Sequence, residues 1–157
     1  MNEDEEKTIL GWIPNNYKSF NLIFDTRRDG DSVKSFIKKC KGQSPTLVIV
    51  ETDNGVIFGG YATSAWKGDR YIEDNNSFCF SLHPNKKYNV THPNYALYGY
   101  CESFNIMLQF GACYFRITSN CTENFDSCTD TGCYEPGLND LIKDNFRVNR
   151  MEIFKLK

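Results

Sequence analysis

Apolar and polar positions along this chain alternate in short bursts, and they shift to a longer period at one place. Val33, Phe36, Ile37 and Cys40 recur three and four residues apart, the spacing of one helical face, with Lys34, Lys38, Lys39 and Lys41 largely on the other. Asp31 or Ser32 can cap the start of this helix. Lysines near its end suit the helix dipole, and Gly42 can supply a left-handed residue after it. Upstream, residues 20–24 (FNLIF) read as a short strand running into turn chemistry at residues 25–30. Ile9, Leu10, Trp12 and Ile13 form an apolar patch that reads as a helix stopped by Pro14-Asn15-Asn16, with residues 1–8 a polar N-terminal end or the first part of that helix.

Period-two alternation governs most of the remainder. Residues 46–52 (TLVIVET) are β-branched and too apolar for an edge facing water. Asp53-Asn54-Gly55 is a hairpin turn, and residues 56–63 (VIFGGYAT) return as the partner strand. Gly59-Gly60 inside that strand signals a bulge or a close approach of another group. Residues 66–76 read as a polar loop. In residues 77–82, Phe78, Phe80 and Leu82 fall on one face and Ser77, Cys79 and Ser81 on the other. Further strand candidates are residues 88–90, 95–100, 104–110 and 112–118, followed by a long polar stretch at 119–140. A final strand at 146–156 has Val148, Ile153 and Leu156 apolar, with Met151 and Phe154 out of phase. Many short strands joined by turns predict a mainly β (α+β) fold, a two-sheet antiparallel sandwich flanked by one or two helices.

Composition narrows the function classes. The 157 residues correspond to one domain, and a chain this long buries roughly 68–70% of its unfolded surface. A net charge of -2 argues against a duplex-DNA binder that works by bulk electrostatics. The opening residues MNEDEEK are acidic where a secretory leader would be basic, and no apolar run has the length of a membrane span. The seven cysteines therefore read as free thiols of a reducing, cytoplasmic compartment, and the sequons at Asn75, Asn89 and Asn120 as chance matches.

Candidate chemistry is sparse. Phosphate-loop, dinucleotide, nucleophile-elbow, zinc-protease and C-x-x-C motifs are all missing, so the sequence implies no cofactor. His83 and His92 each precede a proline and belong to turns. Cys121, Cys128 and Cys133 share one loop. Cys128 and Cys133 allow a single zinc-type pair but no second pair stands beside them, which leaves the three as candidates for oxidation. Glu73-Asp74 and the Asp126/Asp130 pair read first as solvated loop faces. Trp66 and Tyr71 either pack in the core or, where exposed, mark a binding surface.

The ordered segments resemble a TLDc domain. Residues 20–30 (FNLIFDTRRDG) are similar to that family's strand running into an ST-x-x-DG turn, and residues 32–36 (SVKSF) to its SLKTLY helix. Residues 45–50 (PTLVIV) followed by 53–63 (DNGVIFGGYAT) resemble its PTLLVI and D-x-DG-x-VFGAFAS hairpin. Trp66-Lys67 and Tyr71 stand where the family carries its tryptophan and aromatic loop, and residues 77–82 (SFCFSL) resemble its SFLFSL strand. The resemblance spans residues 9 to 156, which places the domain at 9–157. The chain departs from the family where Asn76 replaces a glutamate and where a glycine run shrinks to residues 109–112 (QFGA). A Cys-x-TFGN segment is echoed only by residues 128–133 (CTDTGC).

The resemblance implies a two-sheet sandwich and an intracellular, non-catalytic interaction domain linked to protection against oxidative stress. It also implies a protein partner, the peripheral sector of the vacuolar proton pump. Arg27, Arg28, Trp66 and Tyr71 are the partner-binding candidates, and Cys121, Cys128 and Cys133 the redox candidates. Two rival readings remain: an enzyme using loop thiols or carboxylates, and a stress regulator binding nucleic acid through the lysine face of residues 33–40.

Overall fold

The computed structural model describes residues 1–14 and 16–157, so Asn15 of the Pro14-Asn15-Asn16 break lies outside the described residues. In chain order the elements are α1 (Glu3–Trp12), β1 (Phe20–Asp25), α2 (Thr26–Asp29), α3 (Val33–Cys40), β2 (Thr46–Thr52), β3 (Ile57–Ala62), β4 (Tyr71–Ile72), β5 (Phe78–Leu82), β6 (Lys86–Asn89), β7 (Leu97–Tyr98), β8 (Ile106–Phe110), β9 (Phe115–Thr118), β10 (Cys128–Thr129), α4 (Leu138–Leu141) and β11 (Val148–Leu156). The strands form two antiparallel sheets, β1-β11-β2-β3-β5-β6 and β10-β9-β8-β7-β4. This is the expected sandwich.

Both faces of the six-stranded sheet are buried, which explains its apolar strands. Val48, Val50 and Phe58 face the second sheet and pack with Leu108, Phe110, Phe115 and Ile117. Leu47, Ile49, Tyr61, Phe78 and Phe80 point the other way, where Ile9, Trp12 and Ile13 cover them. The phase break of the last strand resolves for the same reason. Met151 and Ile153 join the inter-sheet core, Phe154 and Leu156 join the cluster under α1, and a register shift between Val148 and Arg150 brings Val148 inward too.

The helices follow local signals. Asn2 and Glu5 form a reciprocal capping box at 2.9 Å each way, and acidic residues crowd the first turn of α1. The acidic opening is thus a helix start. Ser32 caps α3 by accepting from the Ser35 N–H at 3.1 Å, and Val33, Phe36 and Cys40 are its buried residues.

The glycine pair in β3 marks close approach. A Cβ on Gly60 would lie 2.4 Å from the Phe110 ring of the facing sheet, and one on Gly59 only 1.9 Å from the Val48 carbonyl oxygen. Other expectations need correction. Candidates 95–100, 104–110 and 112–118 shorten to β7, β8 and β9, because Pro93–Tyr95 forms a 3-10 turn and residues 101–105 and 111–114 turn the chain. The polar loop at 66–76 holds a core tryptophan and β4, and the stretch at 119–140 holds β10 and most of α4.

Candidate functional site

The predicted partner-binding residues do not form one surface. Trp66 is fully buried: its ring packs edge-on against Phe36 and Phe110, and its Nε1 donates to Thr46 Oγ1 at 3.0 Å. This removes it from the partner-binding candidates and places it in the core, because the apolar indole has an inter-sheet pocket and a hydrogen-bond acceptor inside it. Arg27 and Arg28 are exposed on α2, beside the six-stranded sheet. Arg28 is engaged by its neighbour, its Nη2 lying 2.8 Å from Asp29. Tyr71 lies on β4, at the edge of the other sheet.

The thiols separate in the same way. Cys121 and Cys133 are buried, and burial pushes the Cys121 thiol up to about 12. Cys40, also buried, is pushed up to about 12 by the same cause, and Cys79 well above its ordinary value. Cys121 and Cys133 are therefore corrected to core residues, and the desolvated Cys121 thiol resists becoming the reactive thiolate. Cys128 is half-buried, and its Sγ lies 3.2 Å from that of Cys113, a residue the sequence reading did not single out. Among the described residues no three His, Cys, Asp or Glu side chains gather to hold a metal ion.

Acidic loop residues also have structural work. Asp74 is buried, not solvated. It accepts from the Thr63 N–H at 2.7 Å, the Thr63 hydroxyl at 2.6 Å and the Ser64 N–H at 3.0 Å, and so closes the loop after β3. Asp25 accepts from Arg150 Nη2 at 2.6 Å. That hydrogen bond, with one from the Arg27 N–H, holds its carboxyl below the ordinary value.

The outer face of the five-stranded sheet carries the arrangement that can meet a ligand. Register places Cys128 opposite Arg116, Arg116 opposite Gln109, Gln109 opposite Tyr98 and Tyr98 opposite Tyr71. One row of side chains thus crosses all five strands. At one end, the Tyr71 ring stands edge-on to Tyr98 and Tyr95, with centroids 5.0 and 5.1 Å away. The Tyr98 hydroxyl donates to Asp69 at 3.0 Å, a bond that holds the phenol above its ordinary pKa. In the middle, Gln109 is buried and engaged at both ends of its amide: Nε2 donates to the Gly111 carbonyl at 2.8 Å, and Oε1 accepts from Arg116 Nε at 2.7 Å. The guanidinium is thereby aimed without a carboxylate, for Arg116 forms no salt bridge among the described residues. Tyr71, Tyr98, Phe104, Ile106, Gln109 and Arg116 line a depression of about 350 Å³. Its rim is apolar, with Phe104 72% and Tyr71 43% exposed.

At the other end of the row stands the thiol pair. The hydrogen bond from Cys113, with the charge of Arg116 in support, draws the Cys128 thiol down to about 7, and the same bond raises Cys113. Tyr95, Tyr98, Phe104, Cys113 and Arg116 went unnoticed in the sequence. The one local clue was the placement of Gln109 and Arg116 on either side of a glycine turn.

A larger depression of about 460 Å³ is lined in part by Asp53, Phe125, Asp140, Lys143 and Asp144. No helix of the described residues is long and apolar enough to cross a membrane.

With the tryptophan in the core and the hairpin and SFCFSL strand paired as described, family membership is decided by a match to the TLDc domain that covers residues 1–157. The chain belongs to the TLDc family. Its relatives include the MTOR-associated protein MEAK7 of Danio rerio, 30% identical over 66 residues, which are 41% of this chain and 15% of that protein. The GTPase-activating protein skywalker of Drosophila melanogaster is 30% identical over 91 residues, 50% of this chain and 16% of that one. TBC1 domain family member 24 of Xenopus laevis is 31% identical over 64 residues, 40% of this chain and 11% of that one. The chain therefore spans only a small part of the length of these TLDc relatives.

Proposed function

We propose that this TLDc domain is a non-catalytic, cytoplasmic protein-interaction module whose docking face is the Tyr71–Phe104–Arg116 depression. The observation that carries the reading is the exposed aromatic rim around a guanidinium that Gln109 aims and that forms no salt bridge among the described residues. Aromatic side chains and arginine are the residue types that dominate binding energy at protein interfaces. A partner segment with an acidic side chain flanked by apolar ones fits this chemistry. Family resemblance makes the peripheral sector of the vacuolar proton pump the first partner to test, and protection against oxidative stress the setting. That relatives are named as an MTOR-associated protein and a GTPase-activating protein agrees with a regulatory, partner-dependent role.

The test is equilibrium binding of the chain to the purified peripheral sector at low and moderate salt. Tyr71→Ala combined with Phe104→Ala is expected to weaken binding tenfold or more, which is about 1.4 kcal/mol. Phe104 is largely exposed and Tyr71 gives up its edge-on contacts with Tyr95 and Tyr98, so stability should fall by about 1–3 kcal/mol at most. A chain that does not bind the sector at low salt removes the pump as partner. Binding that ignores both substitutions removes the face.

A further inference from the structure

We propose that Cys113 and Cys128 are a peroxide-reactive dithiol, which hydrogen peroxide or an organic hydroperoxide converts into an intrachain disulfide between the β8–β9 turn and β10.

Geometry carries this. The two sulfurs stand 3.2 Å apart although 15 residues separate them in sequence, so a bond requires an approach of only about 1.2 Å. Both belong to segments that can supply it. Cys113 sits in the turn between β8 and β9 with φ at +67°, and β10 is only two residues long. Both thiols are also half-buried, whereas the other five cysteines are buried. The charged groups around the pair come from two elements. Arg116 of β9 lies opposite Cys128 and favours its thiolate, and Asp130 beyond β10 opposes it. Because the Arg116 guanidinium stands directly opposite Cys128 in the β9–β10 ladder, Cys128 is the attacking sulfur and Cys113 the resolving one.

The Cys128 thiolate attacks one peroxide oxygen. The O–O bond breaks, and the departing hydroxide (or alkoxide) takes a proton to leave as water (or alcohol). Cys128 becomes a sulfenic acid. Cys113 then attacks the Cys128 sulfur, giving up its thiol proton as the S–S bond forms, and the sulfenic oxygen leaves as water. The two electrons lost by the sulfurs reduce both peroxide oxygens, one released in the first step and the other as the sulfenic oxygen in the second.

The experiment uses the full reduced chain with no partner present, so its outcome is separate from that of the docking face. After hydrogen peroxide treatment, titration under denaturing conditions should fall from seven thiols to five, and non-reducing peptide mapping should show Cys113 linked to Cys128. In Cys113→Ser, Cys128 should instead accumulate as a sulfenic acid trapped by a dimedone reagent. Alkylation of Cys128 should be half-maximal near pH 7, where its thiolate forms. Seven surviving thiols, a linkage through any other cysteine, or a Cys128 no faster than the buried Cys121 would overturn the proposal. The mapping is made on the unaltered chain, so it stands even if a substituted chain fails to fold.

Discussion

Individual residues matter here mainly through what surrounds them. Trp66 is the clearest case. Its indole fills space between the sheets and satisfies Thr46, so Trp66→Ala leaves both a cavity and a hydroxyl without its donor. A loss of about 3–5 kcal/mol is expected, read as a lowered urea midpoint with an unchanged slope. Asp25 sets a pH response. Its carboxyl is held below the ordinary 3.8 chiefly by Arg150, so its stabilising contribution is complete above that value and fades as pH falls through the lower folded value. Arg150→Gln should lower the urea midpoint at about pH 6 and shrink the further drop between about pH 4 and pH 2. Neither role shows in the sequence. Trp66 stands in a polar stretch that reads as a loop, and the Asp25–Arg150 partnership joins residues 125 positions apart.

Elements were legible where their signal is local. The α3 stripe, the Asn54-Gly55 turn and the β-branched run of β2 each specify their own conformation. Where several short strands follow one another, strand length depends on turns and on pairing partners, and so 95–100, 104–110 and 112–118 came out too long. Residues 1–8 show the opposite limit. Their polarity suits either a polar end or the first part of a helix, and residues 3–8 begin the helix that brings Ile9 and Trp12 onto the outer face of the six-stranded sheet. Removing residues 1–13 would uncover Leu47, Tyr61, Phe78 and Phe80. The shortened chain is expected to aggregate, as light scattering of the purified material would show, because a patch of that kind is a docking or aggregation surface once exposed.

Across the whole molecule, the five-stranded sheet is the unit on which the functional reading rests. Its outer face runs from exposed aromatics through a positioned guanidinium to a dithiol. Oxidation of that dithiol closes a loop of 15 residues, which should raise stability by about 3 kcal/mol relative to the reduced chain. The oxidised form is expected to unfold at higher urea, and reductant should reverse the shift. By itself the sequence determined the sandwich, the hairpin, the capped helix and the family, because period, turn chemistry and residue order are written locally. Only tertiary structure decided which aromatics are core and which are rim. It alone placed Cys113 rather than Cys121 or Cys133 beside Cys128, and aligned one side chain from each of five strands in a single row. Those relations depend on cross-strand register between segments distant along the chain, where a shift of one residue would turn every side chain to the opposite face.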